Sequence, residues 1–218
     1  MRGVDAGGEE AARLICLRLL AAAPRTRAQL AKELQRRNVP QEISESVLGR
    51  FAEVGLIDDA AFARAWVESR HHGRGLARRV LAAELRQRGV PAENVKEAVS
   101  ALDPRDELAT ARRLVAKKLA ASRGKPMPVR VRQLAGMLAR KGYPPGVAFQ
   151  VVREALEQEG DDGSDWRTDL SGLEDAAADA DPALAADTDP GGTTDADTGI
   201  TTDAEATGIT ADADSAVP

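Results

Sequence analysis

One sequence pattern occurs three times in this chain, and it restricts the fold more than any other feature. The copies are QLAKELQRRNVPQEISESVL at 29–48, VLAAELRQRGVPAENVKEAV at 80–99 and QLAGMLARKGYPPGVAFQVV at 133–152. Leu34, Leu85 and Leu138 hold equivalent places, at spacings of 51 and 53 residues. A repeat of this length is typical of a small supersecondary unit that is copied along a chain. The sequence therefore predicts three related units within its 218 residues.

Each copy contains a triplet made of Asn or Gly, then an apolar residue, then Pro. The three triplets are 38–40, 89–91 and 142–144. Helices commonly end with a residue in the left-handed conformation, which Gly adopts freely and Asn tolerates. The apolar residue can pack back on the last turn, and Pro cannot continue the helix. Each triplet therefore predicts the end of one helix and a turn into the next.

Helical signals surround the triplets. Thr26 and Gln29 have the spacing of a capping box, and Asp103 precedes Pro104 as an N-cap precedes a first-turn proline. No segment shows the alternation or the hairpin signals of β-strands. We expect an all-α fold of three tandem three-helix units that resemble helix-turn-helix domains. Their predicted bounds are 9–55, 56–103 and 104–160, after a flexible segment at 1–8.

Two adjacent carboxylates, Asp58 and Asp59, lie in the segment VGLIDDAAFARAWV at 54–67. Gly55 is expected to end the preceding helix. As an N-cap, Asp58 can accept hydrogen bonds from the free N–H groups of the next helix. Asp59 is then the first helical residue, where the helix dipole favours negative charge.

Catalysis, metal binding and partner contact are the alternatives for this pair. Its next neighbours, Ala60 and Ala61, supply no polar group for the first two. Phe62 and Trp66 follow at helical spacing and predict a buried face. Capping is therefore the favoured interpretation. The residues expected to maintain the fold rather than to bind are Gly55, Asp58, Asp59, Phe62, Trp66, Leu85, Gly89 and Gly142.

The chain offers little for catalysis or metal ligation. His71 and His72 are its only histidines, and without a metal-ligand pattern around them we expect surface residues at a helix end before Gly73. Cys16 is the single cysteine, and its apolar neighbours predict a reduced core thiol. Neither a nucleophile elbow nor zinc spacing is present, and GRGLARR at 73–79 has too few glycines for a phosphate loop. We expect no enzyme activity, no metal and no cofactor.

Membrane insertion and secretion are not expected either. No apolar run approaches the roughly 18 residues of a membrane span. The N-terminus MRGVDAGGEE is acidic where a signal peptide would become apolar. We therefore expect a cytoplasmic protein with no membrane contact and no small-molecule substrate.

Charge divides the chain into two parts. Residues 1–160 contain 29 basic and 19 acidic side chains, a net of +10, whereas 161–218 contain 1 and 16, a net of −15. The acidic part has few large apolar residues and repeats itself, as TGITTDA at 198–204 and TGITADA at 207–213. Such a composition predicts a disordered tail. It either keeps the protein soluble or folds back on the basic body and competes with polyanions.

The basic body suggests an anionic partner. In the helix predicted near 75–88, Arg79 and Arg86 fall within about 20° of each other. Only six aromatic residues occur in the whole chain, so contact with phosphates or with an acidic protein surface is favoured over base stacking. The candidate partner- or nucleic-acid-binding residues are Arg74, Arg78, Arg79, Arg86, Arg88, Arg112, Arg113, Lys117, Lys118, Arg130, Arg132, Arg140 and Lys141.

Four segments together resemble the RecX family, which regulates the RecA recombinase. They are GLIDDAAFARAWVESR at 55–70, GRGLARRVLAAELRQRGV at 73–90, LARKGYPPGVAFQVV at 138–152 and, more loosely, LAKELQRRNVP at 30–40. The resemblance covers about residues 10–158. It departs from the family at Ala60 and Ala61 and in the acidic tail.

The resemblance implies a curved, elongated array of three three-helix units that lies in the groove of the RecA–DNA filament. It also implies inhibition of RecA strand exchange, ATP hydrolysis and coprotease activity, and hence a role in homologous recombination, DNA repair and the SOS response. Single- or double-stranded DNA is a further candidate partner through the basic faces. Two other hypotheses stay open: a sequence-specific DNA-binding protein and a helical adaptor without any nucleic-acid role.

Overall fold

A computed structural model describes residues 3–160 of this protein, with side-chain surroundings from residue 7. This part of the chain forms nine helices and no strand, which confirms the predicted all-α class. The acidic tail at 161–218, and the interpretations placed on it, lie outside the described residues. The helices are α1 (Gly3–Ala22), α2 (Arg27–Arg36), α3 (Gln41–Glu53), α4 (Asp59–Arg74), α5 (Arg78–Gln87), α6 (Ala92–Ser100), α7 (Pro104–Ser122), α8 (Met127–Arg140) and α9 (Pro145–Gln158).

The helices group in threes, and each group surrounds its own core. We call α1–α3 unit 1, α4–α6 unit 2 and α7–α9 unit 3. The extensive helix–helix contacts all lie within one unit. The largest buried side chains include Leu30 and Leu34 in unit 1, Leu81 and Leu85 in unit 2, and Leu138, Tyr143 and Leu156 in unit 3. The predicted tandem three-helix repeat is confirmed, and Cys16 is buried in the first core as expected.

The first helix begins earlier than the sequence indicated. Residues 3–8, expected to precede unit 1 as a flexible segment, are part of α1. Gly8 shows why this extension packs: a Cβ added there would lie 2.9 Å from Ile43 Cδ1 of α3. The small residue therefore lets the start of α1 approach α3 closely.

The repeated triplets end the middle helix of each unit as predicted. Asn38, Gly89 and Gly142 have φ values of 58°, 75° and 89°, which is the left-handed region. In each copy the N–H of the following apolar residue donates to the carbonyl of the repeated leucine at 3.1 Å. The three pairs are Val39 to Leu34, Val90 to Leu85 and Tyr143 to Leu138. This hydrogen-bond pattern satisfies carbonyl groups that a helix end otherwise leaves unpaired.

The predicted N-caps are also confirmed. Thr26 accepts from the N–H of Gln29, and the Gln29 side chain accepts from the N–H of Thr26, both at 3.1 Å. Asp58 accepts from the N–H of Ala61 at 2.8 Å. Asp103 accepts from the N–H of Arg105 at 2.7 Å, with Pro104 as first helical residue.

The middle helices of neighbouring units meet end against end. The C-cap carbonyl of α5, on Arg88, accepts a hydrogen bond from the hydroxyl of Thr26, the N-cap of α2, at 2.7 Å. The C-cap carbonyl of α8, on Lys141, accepts from the N–H of Ala77, the N-cap of α5, at 2.8 Å. Free carbonyls at one helix end thus meet free donors at the next, and the opposite ends of the two dipoles attract.

The expectation for the histidines is wrong for one of them. α4 continues past Gly73 to Arg74 and ends at Gly75, which has a φ of 66°. His71 therefore lies one turn inside the helix end, and only 1% of its surface is exposed. His72 is exposed, as expected. The predicted helix near 75–88 begins only at Arg78, because 75–77 form the turn between α4 and α5.

Candidate polyanion-binding surface

The bases of α5 differ in their surroundings. Arg79 and Arg86 are exposed and form no hydrogen bond or ion pair with any described residue. Arg78 is half-buried: its guanidinium donates to the carbonyl of Leu102, and its Nε lies 3.4 Å from the Glu107 carboxylate. The sequence placed all three on one basic helix. The structure leaves two of them available to a ligand and commits Arg78 to the contact between units 2 and 3.

Arg88 lies on an aromatic ring. Its guanidinium carbon is 3.7 Å from the centroid of the Trp66 ring, and that of Arg70 is 4.3 Å away. The indole N–H of Trp66 donates to Glu84 at 2.7 Å. Contacts of this kind hold a cation in place. Trp66 packs against the core of unit 2, as predicted from the sequence. It also holds the side chain of Arg88, whose backbone carbonyl accepts the hydrogen bond from Thr26.

The bases of α7 divide in the same way. Arg112 forms an ion pair with Glu154 of α9 at 3.0 Å, and this contact lowers the pKa of that carboxyl group. Arg113 approaches the hydroxyl of Thr110 at 3.5 Å. Lys117 and Lys118 are exposed and have no partner among the described residues.

Arg130 does not lie on an exposed face, contrary to what the candidate set required. Only 5% of its surface is exposed. Its guanidinium donates to the hydroxyl of Ser122 at 3.1 Å and to the carboxylate of Glu159, the C-cap of α9. Arg123 also pairs with Glu159, and the two guanidinium groups lower the pKa of this carboxyl. Burial requires a paired charge, so Arg130 joins α8 to the end of α9.

The remaining bases of α8 lie near its exposed side and its C-terminus. Arg132 and Arg140 are exposed without a partner among the described residues. The guanidinium of Arg140 lies back along the helix, 3.5 Å from the place of a Cβ on Gly136. Lys141 is half-buried, and its Nζ donates to the carbonyl of Arg74 at 2.6 Å. Both Arg74 and Lys141 are therefore engaged where units 2 and 3 meet.

The contact between units 2 and 3, here called junction 2–3, contains two buried polar groups that the sequence reading missed. The Nδ1 of His71 lies 2.9 Å from the carbonyl of Leu76, and its Nε2 lies 3.1 Å from the hydroxyl of Thr110 on α7. A carbonyl can only accept, so Nδ1 carries a proton, and in the neutral ring Nε2 accepts from the hydroxyl of Thr110. His71 thereby links α4 to α7.

Tyr143 is the second buried group of junction 2–3. Its hydroxyl donates to the carbonyl of Gly75 at 3.1 Å. Burial raises the pKa of Tyr143, the nearby Glu107 carboxylate raises it further, and Arg113 lowers it. The phenol therefore keeps its proton and stays a donor at neutral pH.

The contact between units 1 and 2, here called junction 1–2, explains the second aspartate of the pair. Asp59 accepts from the backbone N–H of Arg27, the first residue of α2, at 2.9 Å. Glu107 does the same for Arg78, the first residue of α5, at 3.0 Å. Each middle helix is thus capped partly by a carboxylate of the following unit. These pairs are 32 and 29 residues apart in sequence, so no local signal could identify them.

The described residues contain no group of three His, Cys, Asp or Glu side chains that could hold a metal ion. None of the described helices has the length and apolarity needed to cross a membrane. What the arrangement offers is a set of exposed, unpartnered cations on helices. Among the candidate residues, these are Arg79, Arg86, Lys117, Lys118, Arg132 and Arg140.

Comparison with family models gives one match for each unit. Residues 12–51 match the RecX first three-helix domain, 58–99 the second and 105–152 the third. The matches occur in the order of the family, and each one falls on a different unit of the three described above.

Curated relatives match the same region at high identity. The regulatory protein RecX of Thermobifida fusca is 65% identical over 149 residues, which cover 68% of this chain and 80% of the relative. The protein of the same name from Streptomyces coelicolor is 63% identical over 153 residues, covering 70% and 81%. That of Mycolicibacterium smegmatis is 46% identical over 155 residues, covering 69% and 82%.

Solved structures show the same fold at low sequence identity. A crystal structure of regulatory protein RecX matches with a TM-score of 0.62 at 23% identity, covering 69% of this chain and 74% of the other. The crystal structure of RecX from Lactobacillus salivarius also gives 0.62, at 16% identity, covering 71% and 97%.

Proposed function

This chain belongs to the RecX family, and we propose that it is a cytoplasmic regulator that binds the RecA–DNA filament and lowers the activities of RecA. The activities concerned are strand exchange, DNA-dependent ATP hydrolysis and coprotease action. The proposal is carried by one observation: all three family domains are matched in order, each by a unit with its own core. The protein would thereby limit homologous recombination and the SOS response.

The arrangement of the units supports binding to a filament. A filament presents the same surface again and again, so a protein with repeated units can engage several protomers at once. Weak contacts made by linked units reinforce one another through effective concentration. The hydrogen bonds at both junctions keep the three units in register for such a partner.

The chemistry of the surface supports regulation by binding to the filament rather than by catalysis. Its exposed cations can contact phosphates or acidic side chains, and the described polar groups with perturbed pKa values are engaged in pairs or buried contacts. The protein would act by holding the filament in place or by blocking access to it. Single- or double-stranded DNA is included among the proposed contacts.

The proposal is tested by titrating the full chain into RecA, DNA and ATP and measuring ATP hydrolysis. We expect the rate to fall with added protein. The double variant Arg79→Glu, Arg86→Glu should need at least about tenfold more protein for the same effect, because two contacts become repulsive. Arg78 is left unchanged, since it holds junction 2–3 together.

The matched control reverses two exposed, unpartnered bases of unit 1, Arg18→Glu and Lys32→Glu, and should inhibit like the wild type. An unchanged ATPase rate at saturating wild-type protein would contradict the proposal. A footprint of this protein at a defined site on duplex DNA without RecA would favour the sequence-specific DNA-binding alternative instead.

A further inference from the structure

The basic excess of the folded part is concentrated in one unit. The first unit, 9–55, contains 8 basic and 6 acidic residues, a net of +2, and the second, 56–103, contains 8 and 7, a net of +1. The third, 104–160, contains 12 and 5, a net of +7. Seven of the ten excess positive charges thus belong to unit 3, although the three units share one fold.

Three of the five acids of unit 3 are already paired with other groups. Glu107 caps α5 and approaches Arg78, Glu154 pairs with Arg112, and Glu159 pairs with Arg123 and Arg130. These pairs leave several exposed bases of the unit without an acidic neighbour. Lys117, Lys118, Arg132 and Arg140 are the clearest of them.

The unpartnered cations continue from α8 onto α5. Gly142, just after α8, lies against the first turn of α5, so the two helices form one end-to-end path. Arg79 in α5 and Arg132 in α8 are equivalent positions of the repeat. Each lies three residues before an aligned alanine, Ala82 or Ala135. Arg86 lies two turns beyond Arg79 on the same side. The equivalents of Arg79 and Arg86 in unit 1 are uncharged, Ala28 and Gln35.

We infer that unit 3, extended by the exposed arginines of α5, binds the sugar–phosphate backbone of a nucleic acid and that unit 1 does not. An extended row of cations fits a ligand whose negative charges repeat along its length. Guanidinium groups suit phosphate oxygens, which they bind through paired hydrogen bonds. This inference deepens the proposed function and takes its biological setting from it.

Base stacking is a poor alternative for this surface. Phe51 and Tyr143 are buried, and Phe62 and Phe149 pack against cores. The ring of Trp66 is occupied by two guanidinium groups. Binding through phosphates rather than bases predicts little sequence preference and a strong dependence on salt.

The test uses full-length chains and bare DNA of mixed sequence, both single-stranded and duplex, with affinity measured between 50 and 200 mM salt. The test variant is Lys117→Ala, Arg132→Ala, Arg140→Ala. Its control, Lys32→Ala, Arg18→Ala, Arg27→Ala, removes one lysine and two arginines that are exposed and have unpartnered side chains in unit 1. Thermal unfolding should place both variants close to the wild type, since exposed substitutions of this kind usually have small effects.

We expect the unit 3 variant to bind more weakly and to reduce the slope of log affinity against log salt by about 2–3, at 0.7–0.9 per phosphate contact. The control should keep the wild-type slope. Equal losses in both variants, a loss in the control alone, or no loss in either would overturn the inference. So would weaker RecA inhibition by the unit 3 variant with unchanged DNA binding, which would assign its bases to an acidic protein surface.

This measurement contains no RecA. A wild-type protein that binds DNA through unit 3 but leaves the RecA ATPase unchanged would contradict the proposed function alone. A protein that inhibits RecA while both variants bind DNA like the wild type would contradict the present inference alone.

Discussion

Junction 1–2 and junction 2–3 are two versions of the same contact. In both, the middle helix of one unit ends against the first turn of the middle helix of the unit before it. A carboxylate of the later unit caps that first turn. Each also has one apolar residue that packs in the core of the neighbouring unit, Ile57 in that of unit 1 and Ala77 in that of unit 3.

The two junctions differ in the number of polar contacts that hold them. Junction 2–3 adds the Tyr143 hydroxyl on Gly75, the His71–Thr110 pair and the Lys141 ammonium on Arg74. Junction 1–2 depends mainly on the Thr26 hydroxyl and the Asp59 carboxylate. Buried hydrogen bonds are costly to break because both groups lose their partner. Units 2 and 3 are therefore held as a pair, and unit 1 is attached more weakly.

Substitution of the junction glycines by alanine should change the free energy of unfolding more than any other variant considered. At Gly89 a Cβ would overlap Ala28 Cβ of α2, and at Gly142 it would lie 2.7 Å from Val80 Cγ2. Gly89→Ala should lower the free energy of unfolding by about 3 kcal/mol, from left-handed strain and overpacking together. Gly142→Ala should cost about as much. Both are measured by denaturant unfolding.

Gly55→Ala is the matched control, because Gly55 has a φ of 73° but open space around its Cβ position. It should cost only about 1 kcal/mol, the strain alone. Equal costs at Gly55 and Gly89 would mean that the ends of α5 and α2 do not press together in solution.

Thr26 tests the weaker junction. Thr26→Val removes both the N-cap acceptor and the donor to Arg88. We expect the free energy of unfolding to fall by about 2 kcal/mol, with about half from the lost cap and half from the lost hydrogen bond to Arg88. Thr26→Ser keeps the hydroxyl and should retain most of the stability. If serine and valine behave alike in thermal unfolding, the hydroxyl does not hold junction 1–2.

Hydrogen exchange compares the junctions directly. Arg27 and Arg78 are each the first residue of a middle helix, and each backbone N–H donates to a carboxylate of the following unit. The Arg78 amide should exchange about tenfold more slowly, which corresponds to about one net hydrogen bond. Equal protection of the two amides, measured by NMR, would remove the distinction between the junctions.

Removing one oxygen atom from Tyr143 tests junction 2–3, the stronger of the two. Tyr143→Phe removes the hydroxyl and leaves the carbonyl of Gly75 without this donor. We expect a loss of about 1 kcal/mol and faster exchange of the Ala77 and Arg78 amides. Exchange of the Arg27 amide in junction 1–2 is the internal control and should not change.

Glu159 lies outside both junctions and serves as a reference. Its substitution is the one from which we expect the smallest effect. Arg123 and Arg130 lower its pKa below the ordinary 4.5, so the folded state binds this proton less readily than the unfolded chain. Its pairing therefore stabilises the protein above about pH 4.5 and is lost as the pH falls through the folded pKa. The difference in Tm between wild type and Glu159→Gln should narrow on acidification. A difference that is constant with pH would show that the charge of Glu159 is not what stabilises unit 3.

Much of the fold could be predicted from sequence because its signals are local. Gly89 and Val90 end α5 through hydrogen bonds to residues three and five positions back. The Thr26–Gln29 box and the Asp58 cap also span three residues. In each case the residue type and its spacing were enough to predict the conformation.

The candidate surface could be predicted only in part. Thirteen bases were named as candidates, and the structure leaves Arg79, Arg86, Lys117, Lys118, Arg132 and Arg140 exposed and unpartnered. Arg130 was indistinguishable from Arg132 by sequence, yet one is buried on Glu159 and the other is exposed. The helical position that turns a side chain toward α9 depends on how α8 packs, and composition does not contain that information.

By itself, the sequence determined the three units, their helix ends and their net charges, because these depend on residues a few positions apart or on simple counts. Only the tertiary structure decided that α8, α5 and α2 meet end to end, that His71 and Tyr143 are buried between units, and that Asp59 and Glu107 each cap the middle helix of the preceding unit. Those contacts join residues between 29 and 68 positions apart. Bringing such groups together costs chain entropy that only the packed cores can offset.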